Sequence, residues 1–100
     1  MFKVIYAEEV YDDIQNAVIF YNSRRKGLGA RFFKTVKIHL SKIKSNAYGF
    51  QRRYNDVHCV PLNTFPYTIH YRVNAETKLI MIIAIFCDSQ DPKIWDNRMK

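Results

Sequence analysis

The side chains in this chain able to move protons, ligate metals or hold anions include three histidines, two cysteines and sixteen Lys or Arg residues. Arg52, Arg53 and His58 fall close together, and Arg72 lies one strand further on. That set suits cleavage of RNA without a metal. The reaction needs a base to take the 2′-hydroxyl proton, cations to stabilise the crowded phosphate, and an acid for the leaving oxygen. His58 can carry the proton, and Arg52, Arg53 and Arg72 can supply the positive charge. Metal chemistry has a weaker basis. His58, Cys59, His70 and Cys87 are possible ligands, but His58 and Cys59 are neighbours in a strand and must point to opposite faces. No metal and no cofactor is expected; two buried thiols and two surface imidazoles are. The phosphate-binding, dinucleotide, serine-hydrolase, zinc-protease and CxxC signatures are all missing from the sequence.

These residues need a scaffold, and 100 residues provide one domain, 1–100, with no room for a second core. With 48% hydrophobic and 15% aromatic residues the chain is neither disordered nor low in complexity. A net charge of +7 favours polyanionic partners, and its distribution is uneven. All the excess lies in 23–53, where Arg24, Arg25, Lys26, Arg31, Lys34, Lys37, Lys42, Lys44, Arg52 and Arg53 occur with no acid among them. A solvated helix face normally carries acids that pair at i,i+4, so this segment points to a polyanion or an acidic protein. The apolar run Leu79 to Cys87 is about half of the roughly 18 residues that span a bilayer. No signal-like hydrophobic run opens the sequence, so a cytoplasmic protein with reduced thiols and no membrane partner is expected.

The periodicity predicts the elements. Phe2 to Tyr6 reads as a strand. Val10, Ile14, Ala17 and Tyr21 mark one face of a first helix closed by Asn22-Ser23, with Glu8, Glu9 and Asp12 in its first turn. A second helix, Leu28 to Lys44, sets Phe33, Val36, Leu40 and Ile43 against a basic back of Lys34, Lys37, Ser41 and Lys44. The short Gly-bearing link makes these an antiparallel hairpin. Period two then predicts three antiparallel strands, Arg53 to Leu62, Tyr67 to Val73 and Leu79 to Cys87. In the second of these, Tyr67, Ile69, Tyr71 and Val73 share one face, while Thr68, His70 and Arg72 share the other. His58 and Arg72 are expected together on an exposed face. The result is an α+β fold, a helical hairpin on an antiparallel sheet in the order β-α-α-β-β-β, with a short C-terminal tail containing Pro92 and Trp95.

Four strings give this order a family likeness: Tyr6, Ala7, Asp13, Ile14, Ala17 and Tyr21 around helix one; Gly27-Leu28-Gly29 with Arg31-Phe32; Phe65-Pro66-Tyr67 with Ile69, Tyr71 and Val73; and Asp91-Pro92 with Trp95 and Arg98. From Val4 to Arg98 the chain resembles toxins of the RelE/ParE superfamily from type II toxin–antitoxin modules. Such proteins cleave mRNA in the ribosomal A site or poison DNA gyrase, and each is neutralised by a cognate antitoxin that wraps it. The resemblance implies an acidic antitoxin as partner, with the ribosome and mRNA, or alternatively DNA gyrase, as target.

In the nuclease branch it places Arg52 and Arg53 at the basic positions before the first strand of the main sheet, and Arg72 on the strand whose outward face contributes to the site. Lys93 and Arg98 in the tail join Arg52 as candidate substrate contacts. The chain departs from the family where Asp56-Val57-His58 stands for Asp-Val-Arg, and where Cys87 and Gln90 replace a His and an Arg near the end of the last strand. Three readings stay open: a ribosome-dependent endoribonuclease, a gyrase inhibitor acting by protein binding, and a member that only binds its antitoxin.

Overall fold

The computed structural model describes residues 2–54 and 56–89, with Arg53 and Tyr54 described by their backbone alone. The elements are β1 (Lys3–Tyr6), α1 (Glu8–Arg24), α2 (Leu28–Ser45), β2 (Arg52–Tyr54), β3 (Val57–Pro61), β4 (Tyr67–Asn74) and β5 (Leu79–Cys87). Gln90, Asp91-Pro92, Lys93, Trp95 and Arg98, and so the expected turn of tail helix, lie outside the described residues.

The strands form one sheet in the order β1-β5-β4-β3-β2. β2 to β5 pair antiparallel, whereas β1 joins β5 in parallel, from Lys3 opposite Leu79 to Tyr6 opposite Ile82. The sheet is therefore mixed rather than antiparallel throughout. Parallel neighbours need a long crossover, and everything from α1 to β4 supplies it. The strand expected over Arg53 to Leu62 is broken into β2 and β3, which fold back on one another. Asp56 sits at the break with φ 61. Asn and Asp tolerate this left-handed region better than most residues, so Asn55-Asp56 is the turn signal in the sequence.

α1 and α2 lie on one face of the sheet. Gly27 starts α2 with φ 86, which a side chain would resist. Gly29 permits close approach of the helices: a Cβ there would stand 2.6 Å from the Val18 carbonyl oxygen, and its N–H donates to Asn22 Oδ1 at 2.9 Å. The core stripe of α2 is Phe32, Val36, His39 and Ile43, not one containing Phe33, which is 43% exposed. The stripe at i, i+4, i+7 and i+11 from Phe32 faces the sheet, and His39 satisfies Nδ1 on the Thr35 carbonyl at 2.8 Å. Phe32, Tyr21, Phe65 and Tyr67 then pack ring to ring at 4.9–6.0 Å between centroids.

Asp13 explains one link between layers. β1 ends at Tyr6, so among the described residues β5 beyond Ile82 has no strand partner on that side, and the Ile85 N–H donates to Asp13 Oδ2 at 3.0 Å.

Candidate functional site

The register across β3 and β4 decides what can act together. His58 stands opposite Tyr71, and Cys59 opposite His70. Directly opposed residues share a face. Tyr71 faces the helices, with its hydroxyl donating to the Ala47 carbonyl at 2.7 Å. His58 is therefore on the helix side of the sheet, only 6% exposed. Arg72 follows Tyr71 and takes the opposite face, across from Met81. The expected pairing of His58 with Arg72 on one exposed face is thus overturned. A one-residue change in register moves every side chain to the other face, and alternation within each strand does not fix which residues oppose one another.

His58 is nonetheless arranged for proton transfer. Its Nδ1 donates to the Phe50 carbonyl at 2.7 Å. A carbonyl only accepts, so Nδ1 carries the proton in the neutral ring and Nε2 is left as the basic nitrogen. The ring stacks on Tyr71, centroids 5.0 Å apart and planes 14° apart, and Tyr48 meets it edge-on at 6.4 Å. Tyr71 thus holds both partners of the imidazole: its ring lies against His58, and its hydroxyl holds Ala47 in the loop that carries Phe50.

Beside this imidazole opens a cleft of about 670 Å³ lined by Tyr48, Phe50, Arg52, Asp56, His58 and Val73. Arg52 is directly across from His58 in the β2–β3 pair, so the two share a face. Its Nη1 lies 3.1 Å from Asp56 Oδ1, with both side chains well exposed. Such a pair is worth about 0–1 kcal/mol, so a phosphate can compete for the guanidinium. Tyr48, 59% exposed, stands beside it with its ring open to solvent. The cleft therefore combines an oriented imidazole, a guanidinium, a carboxylate and an aromatic face.

Of the sequence candidates, the structure brings together His58 and Arg52. Arg53 contributes backbone to β2, Arg72 is on the other face, and Lys93 and Arg98 fall outside the described residues. Tyr48, Asp56 and the Phe50 carbonyl were not anticipated. Asp56 was legible as a turn residue; a carbonyl that fixes a tautomer 8 residues away is a tertiary contact with no local signal.

The opposite face carries a second cluster of Val57, Cys59, Ile83, Ala84 and Phe86. His70 is fully buried there, its Nδ1 3.5 Å from Cys59 Sγ and its ring 5.2 Å from Phe86. Both histidines are thus buried, where surface positions were expected. Ile83 and Ala84 can both lie on this face because β5 carries a bulge, with Ala84 opposite His70 and Ile82 opposite Tyr71. Burial, with the neighbouring Cys59 adding to it, pushes the Tyr71 phenol up to about 12. Burial does the same for Tyr67, helped by Cys87, Tyr21 and Asp13.

No protein-family profile and no curated protein sequence matches the chain. Solved structures do. A structure of the chromosomal ParDE TA system from P. aeruginosa superposes with a TM-score of 0.75 at 16% identity, over 85% of this chain and 94% of that one. The isolated E. coli RelE toxin gives 0.66 at 13% identity, over 97% of this chain and 95% of that one. A mutant E. coli RelE in complex with an antitoxin RelB peptide gives 0.65 at 14% identity, over 99% and 95%. The helical hairpin on a mixed sheet matches the fold of these ParDE and RelE toxin structures.

Proposed function

We propose that this protein is the toxin of a toxin–antitoxin pair and that it cleaves mRNA on the ribosome without a metal. The observation that carries the nuclease reading is His58, whose Nδ1 is held by the Phe50 carbonyl beside Arg52 in an open cleft. In this reading Nε2 takes the 2′-hydroxyl proton as the oxygen attacks the adjacent phosphorus. The 5′-oxygen leaves with a proton returned by the imidazolium or by water, giving a cyclic phosphate. Arg52 turns from Asp56 to the phosphate and stabilises its added charge. Tyr48 offers a ring on which a base can stack. Arg53, Lys93 and Arg98 remain candidate contacts along the RNA. The protein acts in the cytoplasm, and an acidic antitoxin neutralises it, as the complex of RelE with a RelB peptide supports.

Purified protein added to programmed ribosomes should cut mRNA in the A site, and His58→Ala should slow the cut by about a hundredfold or more per folded molecule. Intact mRNA in that assay overturns the nuclease reading.

A second reading is favoured by the higher TM-score, 0.75, to the ParDE structure and by the separation of Arg72 from His58. In it the protein inhibits DNA gyrase by binding, and the cleft is a solvated surface. Blocked supercoiling with no cleavage would establish it.

A further inference from the structure

The positive charge of the chain is concentrated away from the cleft. On α2, Lys34, Lys37, Ile38, Ser41, Lys42 and Ser45 line one shallow groove of about 600 Å³ on the outside of the hairpin. Their spacing of three and four residues puts them on one face, over ~16 Å of helix at 1.5 Å per residue. α2 contains no acidic residue, and no described carboxylate lies within ion-pair distance of these lysines. The charge is therefore uncompensated, and it is repeated along a line.

We infer that this outer face of α2 binds the phosphate backbone of RNA, as a docking contact separate from the cleft. A row of ammonium groups with the Ser41 hydroxyl among them suits successive phosphate oxygens, which such side chains bind without reading sequence. At roughly 3.4 Å of axial rise per nucleotide in a helical strand, the row is long enough for several phosphates. An acidic peptide fits it less well. Peptide helices dock by an apolar seam, and Ile38 is the single apolar side chain on this face. The hairpin's apolar groove is the neighbouring one, bordered by Tyr11, Ile14, Phe33 and Leu40, with Lys37 on the rim between the two. The choice of RNA over other phosphate polymers rests on the nuclease reading. The lysine face holds the toxin on RNA, and the cleft does the chemistry.

The test separates binding from cleavage by using a fluorescent 2′-O-methyl oligouridylate, which lacks the attacking hydroxyl. Lys34→Gln/Lys42→Gln spares Lys37, whose Nζ also sits 5.0 Å over the Phe33 ring. This variant should keep the wild-type melting temperature and bind about tenfold or more weakly, and its salt dependence should fall by about one ion for each lysine removed. His58→Ala should leave that salt dependence unchanged. Equal affinity and equal salt dependence in the lysine variant would overturn the inference. So would lysine-dependent binding of a polyglutamate peptide with none of the oligonucleotide, which would make the occupant an acidic protein. Cleavage of mRNA on ribosomes with no lysine effect on oligonucleotide binding sinks this inference alone; lysine-dependent binding with mRNA left intact sinks the nuclease reading alone.

Discussion

His58 and His70 occupy neighbouring strands, one register step apart, and both are buried. Their surroundings differ in kind. His58 lies on the helix side with Nδ1 fixed by a backbone carbonyl, against Tyr71, at the wall of a cleft that also holds Arg52. His70 lies on the far side among Cys59, Phe86 and the branched side chains of β3 and β5, with no exposed surface. Low exposure is common to a working imidazole and a packed one. What distinguishes them is where the second ring nitrogen leads and whether a counter-charge for substrate stands beside it.

Paired substitutions can break that comparison, and the largest effects are expected there. His58→Ala should cost about a hundredfold in cleavage rate per folded molecule, close to 3 kcal/mol in the barrier, as well as some stability, because the ring is nearly buried against Tyr71. His70→Ala should cost stability alone: it empties a fully buried site and should destabilise folding by about 2–4 kcal/mol on the scale of large-to-small core substitutions, leaving the rate per folded molecule unchanged. Matched cleavage assays and denaturant melts decide it. If His70→Ala abolishes cleavage in folded protein, the working histidine has been misassigned.

The link between layers should matter next. Asp13→Ala leaves the Ile85 N–H without its carboxylate acceptor in a partly buried position. That should cost about 1–3 kcal/mol in denaturant unfolding, with no effect on the rate of folded protein. A loss within error would mean that water replaces the carboxylate there.

Much of this arrangement was legible in the sequence, because the two helices and the strands β4 and β5 are set by local periodicity and by Gly27 and Gly29. The alternation in β4 correctly separated Tyr67, Ile69, Tyr71 and Val73 from Thr68, His70 and Arg72. What failed was relative register. Nothing in the order Val57-His58-Cys59 says whether His58 will meet Tyr71 or Arg72, and the answer depends on how the β3–β4 connection closes, with the Leu62 N–H donating to the Tyr67 carbonyl at 2.8 Å. Phe32 and Phe33 failed for a similar reason: adjacent aromatics both satisfy a broad helical stripe, and contact with Tyr21, Phe65 and Tyr67 selects the first. The cleft itself needed the Phe50 carbonyl and Tyr48, which a 24-residue tertiary contact from Tyr71 to Ala47 brings into place.

That contact offers a test on the helix side. Tyr71→Phe keeps the ring under His58 and removes the hydroxyl bond to the Ala47 carbonyl, so folding should weaken by about 1–2 kcal/mol. The substitution also removes a titration. Burial raises the folded phenol to about 12 from an ordinary value of 10.0. The unfolded chain therefore releases this proton first, and the stability the neutral phenol contributes is complete below pH 10 and is lost as pH rises toward about 12. Tyr67, also raised to about 12, acts in the same window. Wild-type unfolding free energy should fall across it, and Tyr71→Phe should fall less steeply. An identical slope in the two proteins would mean that the Tyr71 phenol titrates alike in the folded and unfolded states.

Arg72→Ala is the smallest expected effect and the sharpest check on the division between faces. Arg72 lies on the strand that the family resemblance makes part of a nuclease site, and by residue type it is a natural phosphate clamp. Its register partner is Met81, on the face away from His58, and it borders a different depression with Ile5, Leu79 and Met81. A guanidinium stabilises a transition state only by reaching the phosphate as charge builds on it, and a residue on the far side of a sheet from the attacking oxygen cannot do so. Cleavage by Arg72→Ala should therefore stay within about threefold of wild type, whereas Arg52→Ala in the same assay should lose about a hundredfold. The reverse ranking would put the reacting phosphate on the outer face and reduce His58 to a packed side chain like His70. Losses of equal size from both would require the RNA to wrap the edge strand β2 and touch both faces at once. A double-variant cycle would then show whether the two arginines act on one phosphate or on two.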